Sequence, residues 1–224
     1  MKAVILAAGK GKRMGTLTEE KPKPLLLVGG KTFLERIIST LPPEVNEVIV
    51  VIGYMGEKIQ AFLGEKFLGR KISYVVNDNV EKGNAHSLLL TRGHFKSKER
   101  FALIYSDELP SNKEMEECFS HECSWLTHVV DDPTHSGVVT LSPDGRILEL
   151  EEKPLHPKSN IAAGGVIVVN ADIFSYSPKQ HRNGEYYLTS MMEGFIRHHD
   201  VRAVTGAKNL YFTTREDIDR FNKK

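Results

Sequence analysis

The sequence predicts an α/β protein, and three observations carry that reading. Short apolar runs alternate with segments whose apolar residues recur at helical spacing over the first half of the chain. Beyond Pro110 the rhythm changes to closely spaced apolar runs with a turn signal between them. A glycine-bearing loop follows the first apolar run directly. Ligands of open α/β sheets gather at that end of the strands.

The elements are justified in chain order. Residues 3–6 read as a strand. Residues 32–41 read as a helix with Phe33, Leu34, Ile37, Ile38 and Leu41 on one face. Glu47–Ile52 is a continuous apolar run, the pattern of a strand covered on both sides. A helix lies within 57–67, a strand over 72–76, a helix over 84–93 and a strand over 101–105. This βαβαβ order predicts a Rossmann-like, mostly parallel (mixed) sheet with helices on both faces. Strands follow at 126–130, Gly137–Leu141, 146–151 and 163–169, and Ser142-Pro143-Asp144-Gly145 is a hairpin turn signal. Residues 187–198 and Arg215–Asn222 read as helices, the last capped by Thr213 or Thr214. No linker or repeat interrupts the chain. The expectation is one domain over 1–224, with 1–110 as one half and 111–224 as a small β-rich lobe packed on it.

Bulk properties exclude several classes. The 224 residues carry 30 Lys and Arg against 29 Asp and Glu, a net charge of +1, so no global field draws the chain to nucleic acid or a membrane. No apolar run approaches the ~20 residues of a membrane span, and the first apolar stretch is too short for a signal peptide. Cys118 and Cys123 suggest a reducing, cytoplasmic setting rather than a disulfide or zinc site. His198-His199 reads as surface.

The chemistry-bearing residues begin with Leu6-Ala7-Ala8-Gly9-Lys10-Gly11-Lys12-Arg13. Glycines at 9 and 11 let backbone N–H groups close on phosphate oxygens. Lys23 sits between Pro22 and Pro24, so its backbone has little freedom to lose. A P-loop is excluded because no Gly-Lys-Ser/Thr follows at its spacing. Met14 stands where a dinucleotide fingerprint needs its third glycine, which disfavours an oxidoreductase. Asp107 follows the strand 101–105, where a carboxylate facing phosphates suits Mg²⁺. Glu108 ranks second, its side chain expected to point elsewhere.

The opening, with Lys21-Pro22-Lys23-Pro24-Leu25, resembles that of the nucleotidyltransferases that join a nucleoside triphosphate to a sugar 1-phosphate and release pyrophosphate. That family opens Leu-Ala-Ala-Gly-x-Gly-x-Arg, then Leu-Thr, then Pro-Lys-Pro-Leu. Gly83-Asn84-Ala85-His86-Ser87-Leu88, Ser106-Asp107, Val130-Asp131-Asp132-Pro133, Glu152-Lys153-Pro154 and Gly184-Glu185-Tyr186-Tyr187-Leu188-Thr189 are similar to its later segments.

The resemblance implies roles. Arg13 and Lys23 would hold the triphosphate and stabilise its transition state. Leu6, Ala7, Ala8, Gly9, Gly11, Lys12, Gly83 and Asn84 would line the nucleotide. Lys153 would hold the acceptor phosphate, Glu152 and Glu185 would accept hydrogen bonds from its hydroxyls, and Gly137 and Gly164 or Gly165 would let it approach the backbone. Asp107 would hold Mg²⁺. Partners would be an NTP and a phosphorylated small molecule, with a homo-oligomer left open. The acyltransferase or left-handed helix extension of some relatives is not expected.

Two departures stand out. Where the family carries a second metal aspartate near its C-terminus, matching Thr214-x-Glu216-Asp217 puts Tyr211, with Asn209 nearby as a neutral substitute. Asn84 replaces the common threonine, which with Ser106-Asp107 is similar to cytidylyltransferases acting on phosphocholine or inositol phosphate. The base expectation is therefore CTP ahead of UTP or dTTP. A nucleotide-binding regulatory protein that has lost turnover is the rival from another class.

Overall fold

Lys2–Ala7 forms β1, and its alternation shows why the sheet needs two covered faces. Ala3, Ile5 and Ala7 enter one apolar core, while Val4 enters a second on the opposite side. The computed structural model describes residues 1–207 and 212–223. Beyond β1 the chain forms a small hairpin of β2 (Leu27–Val28) and β3 (Lys31–Thr32), then α1 (Phe33–Thr40), β4 (Glu47–Ile52), α2 (Gly56–Leu63), β5 (Lys66–Phe67), β6 (Arg70–Val76), α3 (Asn84–Leu89) and β7 (Arg100–Tyr105). The second half contributes α4 (Asn112–Ser120), β8 (Ser124–Val129), β9 (Gly137–Leu141), β10 (Ile147–Glu152), β11 (Ile161–Asn170), α5 (Leu188–Phe195), β12 (Arg202–Thr205) and α6 (Arg215–Asn222).

Among the described residues the main sheet has ten strands, in the order β10-β9-β11-β7-β1-β4-β6-β5, with β8 pairing β11 and β12. β1 lies parallel to β4 and β7, and β4 parallel to β6. From β11 outward to β9 and β10 the pairing is antiparallel. The sheet is therefore mixed: β1, β4, β6 and β7 of the first half pair in parallel, and the later strands extend the same sheet through β11, with β12 parallel to β8. Phe33, Ile37 and Ile38 of α1 cover one face, joined by Met115 and Cys118 of α4. Leu88 of α3, Trp125 of β8 and Met191, Met192 and Phe195 of α5 cover the other.

Several boundaries differ from the sequence reading. The second helix stops at Leu63 because Gly64 turns the backbone at φ 61°. The helix at 84–93 is α3 followed by a separate 3₁₀ turn at Arg92–His94. The α4 and β12 elements were not anticipated. In α4 only Met115, Cys118 and Phe119 face inward, and the stretch is otherwise polar. Its one sequence signal is a capping box: Ser111 Oγ accepts from Glu114 N, and the Glu114 carboxylate accepts from Ser111 N at 2.7 Å. Replacing Ser111 by alanine should cost about 1 kcal/mol. Thermal unfolding would read this as a Tm lower by about 2–4 °C.

The hairpin turn forms as expected, with Gly145 at φ 83° and its N–H donating to Ser142 O at 3.0 Å. Thr214 caps α6, and the Asp217 carboxylate accepts from the N–H groups of Thr213 and Thr214 at 2.8 Å each. Both cysteines are free and buried; burial pushes the Cys118 thiol up to about 12 and the Cys123 thiol up to about 11, so neither is a thiolate near neutral pH. Among the described residues no helix is long and apolar enough to cross a membrane.

Candidate active site

The C-terminal ends of β1 and β7 lie side by side, tied where Ser106 N donates to Leu6 O at 3.3 Å. Above them opens a cleft of about 360 Å³ lined by Leu6, Ala8, Gly9, Gly11, Lys12, Arg13, Lys23, Pro24, Gly83, Asn84, Tyr105 and Asp107. Most residues expected near the nucleotide meet here. Ala7 is the exception: its side chain lies in the core on the opposite face of the sheet.

Gly11 shows how the two halves of the opening motif fit. It sits at φ 62°, and a Cβ there would stand 3.0 Å from Lys23 Cβ and 3.1 Å from Thr18 Cγ2. Its missing side chain lets the Pro-Lys-Pro turn close on the loop. Met14 fills the core instead of leaving room for a dinucleotide. Lys23, in a short 3₁₀ turn, is buried, and its Nζ lies 3.0 Å from Asp107 Oδ2. Arg13 and Lys12 are exposed along the rim of the same cleft.

The opposite wall is the 77–87 segment. Asn77 is buried; its amide donates to Ser87 Oγ at 2.8 Å and its carbonyl accepts from Asn79 N at 2.8 Å. Asn84 lines the cleft, but its amide joins the two halves of the chain. Its Nδ2 donates to Tyr105 Oη at 3.0 Å and its Oδ1 accepts from Leu188 N at 2.8 Å. Burial, with Glu152, Asp107 and Glu108 adding to it, pushes the Tyr105 phenol up, so it stays protonated as a donor.

Through Asn84 and Leu188 the cleft is tied to the segment that holds the residues expected at an acceptor: Tyr187 and Thr189, on either side of Leu188, contact Lys153 and Glu152. Glu152 accepts from the Thr189 hydroxyl, and a Cβ on Gly137 would lie 3.3 Å from Glu152 Oε2. Lys153 donates to Tyr187 Oη at 2.5 Å, its ammonium 4.1 Å from the ring centroid and its backbone at φ 46°. A non-glycine residue held in the left-handed region is strained, and such residues gather at functional sites. Asn183 Nδ2 also donates to Tyr187 Oη, at 2.7 Å, and Glu185 lies two residues away.

Gly165 is placed differently. A Cβ there would stand 2.7 Å from Glu108 Oε2, and one on Gly164 would stand 2.9 Å from Glu108 Oε1. These glycines make room for the buried Glu108 carboxylate, which accounts for them without an acceptor. Glu108 itself points away from the cleft, as expected. Asn209 and Tyr211 lie outside the described residues. Sequence reasoning missed Tyr105, Asn77, Tyr187 and Thr189; Tyr105 was signalled only by its place before Ser106-Asp107.

A hard cation fits Asp107. Its carboxylate is more than a third exposed in the cleft and already holds a cation, the Lys23 ammonium. Among the described residues no group of three or more His, Cys, Asp and Glu side chains converges on a metal position. One carboxylate completed by phosphates is the usual arrangement for Mg²⁺.

An open α/β sheet with a cation-lined glycine loop at its strand ends defines a phosphate-binding class of fold. The comparisons narrow it. A family model described as nucleotidyl transferase matches residues 2–209, and the chain belongs to that family. Bifunctional protein GlmU of Methanocaldococcus jannaschii is 28% identical over 206 residues, 91% of this chain and 49% of that protein. UTP–glucose-1-phosphate uridylyltransferase AglF of Haloferax volcanii is 31% identical over 88% of this chain and 84% of its own length. A bifunctional IPC transferase and DIPP synthase of Archaeoglobus fulgidus is 32% identical over 100% of this chain and 43% of that protein. The chain thus spans about half the length of the GlmU relatives it matches. Among solved structures, a putative glucose-1-phosphate thymidylyltransferase from Bacillus anthracis in complex with a sucrose superimposes with a TM-score of 0.83 at 25% identity, covering 100% of this chain and 94% of that one. UDP-glucose pyrophosphorylase complexed with UDP-glucose shares the fold, with a TM-score of 0.84 at 18% identity over 99% of this chain and 97% of that one.

Proposed function

We propose that this chain transfers a nucleotidyl group from a nucleoside triphosphate to the phosphate of a sugar 1-phosphate or similar phosphomonoester, releasing pyrophosphate. The observation that carries this is the meeting of Arg13, Lys23 and Asp107 in one cleft, whose Asn84 is hydrogen-bonded to Leu188, between the partners of Lys153 and Glu152, Tyr187 and Thr189. A non-bridging oxygen of the acceptor phosphate attacks the α-phosphorus. The bond from that phosphorus to the β-phosphate oxygen breaks, and its electron pair leaves with pyrophosphate. No side chain needs to remove a proton, because a phosphomonoester is ionised near neutral pH. The protein's work is positioning and charge neutralisation. Backbone N–H groups of the Gly9–Gly11 loop and the cations of Arg13 and Lys23 hold the triphosphate. Lys153 holds the acceptor phosphate, while Glu152 and Glu185 accept from its hydroxyls. Asp107 would hold Mg²⁺, which when bound would add charge neutralisation at the phosphate oxygens.

A matrix of CTP, UTP and dTTP against phosphorylated sugars, inositol phosphate and phosphocholine, read by pyrophosphate release, tests the proposal. One pair should turn over well above the rest. Nucleotide binding with no release from any pair would support a regulatory protein. A second reading, CTP with a non-sugar acceptor such as inositol phosphate, is favoured by Asn84 and Ser106-Asp107. The match to the bifunctional IPC transferase and DIPP synthase, over 100% of this chain and 43% of that protein, supports it too.

The Glu152 carboxyl is raised above the ordinary carboxylate range, chiefly by burial and further by Glu185; the Thr189 hydroxyl, Lys153 and His181 pull the other way. A raised pKa means that the ionised form is lost earlier as the pH falls. Since the acceptor's hydroxyls need the ionised form, kcat/KM for the acceptor should decline on acidification from above the usual carboxylate range. Glu152→Gln should be slower throughout and keep only the limb set by the acceptor phosphate's own second ionisation, at about pH 6. A pH profile of both proteins checks this.

A further inference from the structure

We propose that Glu108 and His128, outside the cleft, are positioning residues that aim Asp107 into it. The inference rests on the nucleotidyl-transfer reading. Glu108 follows Asp107 in the chain, yet its side chain runs into the interior, where it and His128 are only 2% and 3% exposed. Glu108 Oε1 lies 2.6 Å from His128 Nε2, and Oε2 accepts from Gly165 N. On its far side His128 Nδ1 meets Ala207 O at 3.1 Å.

The surrounding backbone is moulded to this pair. A Cβ at Gly164 would stand 2.9 Å from Glu108 Oε1 and 3.0 Å from His128 Nε2. One at Gly165 would stand 2.7 Å from Glu108 Oε2, and one at Gly206 2.5 Å from His128 Cε1. Three glycines thus make room for two side chains. Burying an acid and an imidazole is costly, and apolar residues of similar volume would ordinarily fill such a space as well or better. What the pair supplies is connection. It ties the residue after Asp107 to β8, to β11 and to the segment following β12. Phe212 N, donating to Asp107 O at 3.4 Å, holds the loop from another side.

Asp107 needs this help. Its carboxylate is more than a third exposed, and its partner among the described residues is the ammonium end of Lys23. A lysine ammonium is a point charge, which holds one carboxylate oxygen without fixing the plane of the carboxylate. The direction of the carboxylate is therefore set by its own backbone, which the anchored Glu108 side chain fixes one residue away. Groups that orient a metal ligand without touching the metal commonly change affinity or activity about 10–100-fold when removed.

The test compares Glu108→Ala with Glu108→Gln, and His128→Asn with His128→Gln, in the full chain. Glutamine at 108 can still accept from Gly165 N and reach His128. Glutamine at 128 places an amide near the Nε2 position facing Glu108, whereas asparagine reaches only the Nδ1 position facing Ala207. The readouts are Mn²⁺ affinity by electron paramagnetic resonance in the presence of the NTP, kcat, and KM for each substrate.

The expected result is that Glu108→Ala and His128→Asn weaken Mn²⁺ binding and lower kcat by about 10–100-fold. KM for the acceptor should hold, and both glutamine variants should stay near the parent. Folded Glu108→Ala with unchanged Mn²⁺ affinity would overturn the proposal, as would a loss in which acceptor KM and both glutamine variants suffer equally. If Glu108→Ala does not fold, the two His128 variants decide by the same criterion. A parent protein showing no NTP-dependent Mn²⁺ binding would instead overturn the functional reading.

Discussion

Lys23→Met is expected to lower kcat by about 10²–10³-fold, the usual cost of removing one preorganised charge from a transition state. Lys23 has few degrees of freedom to lose: prolines flank it, its side chain is largely buried, and its Nζ already stands 3.0 Å from Asp107 Oδ2. Methionine fills most of the same volume, so the Pro-Lys-Pro turn should still close over Gly11. On the proposed reading the missing positive charge falls where pyrophosphate departs, and the loss should appear in kcat more than in KM for the NTP. Stability should change little. Asp107 is more than a third exposed, so its uncompensated charge is solvated, and pairs of this kind contribute about 0–1 kcal/mol. Steady-state kinetics alongside a melting curve separates the two effects. A variant impaired only in KM would give Lys23 a role in ground-state binding alone.

Gly83→Ala is expected to damage stability and acceptor use together. Gly83 sits at φ 89°, and a Cβ there would be 2.5 Å from Tyr186 O and 3.0 Å from Tyr186 N. The obstacle is backbone on both counts, so no rotamer change relieves it. The ψ of 179° at Gly83 puts it in a region essentially reserved for glycine, which costs an alanine about 1–3 kcal/mol, and forced overpacking about 1–3 kcal/mol more. At roughly 2–4 °C per kcal/mol for a chain of this size, Tm should fall by about 5–15 °C. Tyr186 N donates to Lys82 O at 2.8 Å and Ala85 N to Tyr186 O at 3.1 Å, so the displaced segment drags Tyr187, the partner of Lys153. Below the new Tm, kcat/KM for the acceptor should therefore drop more than NTP affinity. Calorimetry and substrate titrations measure both. An alanine variant with unchanged Tm would mean that the two segments are not in contact.

The parts of this arrangement legible in the sequence were those fixed by local chemistry. Gly11 at φ 62°, the two prolines around Lys23, and Asp144-Gly145 each mark a backbone geometry regardless of what packs on them. Apolar runs such as Glu47–Ile52 announce strands covered on both faces. The α4 helix was not legible because most of its residues face water and only Met115, Cys118 and Phe119 anchor it. The roles of Asn84 and Gly165 were hidden for a different reason. Asn84 is committed to Tyr105 and Leu188, 21 and 104 positions away, and Gly165 to Glu108, 57 positions away. No local pattern encodes such distances; only the folded sheet brings them together.

The central claim is that the glycine loop, Arg13, Lys23 and Asp107 surround one polyphosphate and its metal. A crystal structure with Mg²⁺ and a nucleoside triphosphate bearing a non-hydrolysable α,β-methylene bridge tests it most directly. The account predicts phosphate oxygens within about 3 Å of the loop N–H groups and of the Arg13 and Lys23 side chains, with Asp107 on the metal. A triphosphate seated elsewhere, with Asp107 still held by Lys23 and touching neither metal nor nucleotide, would contradict it.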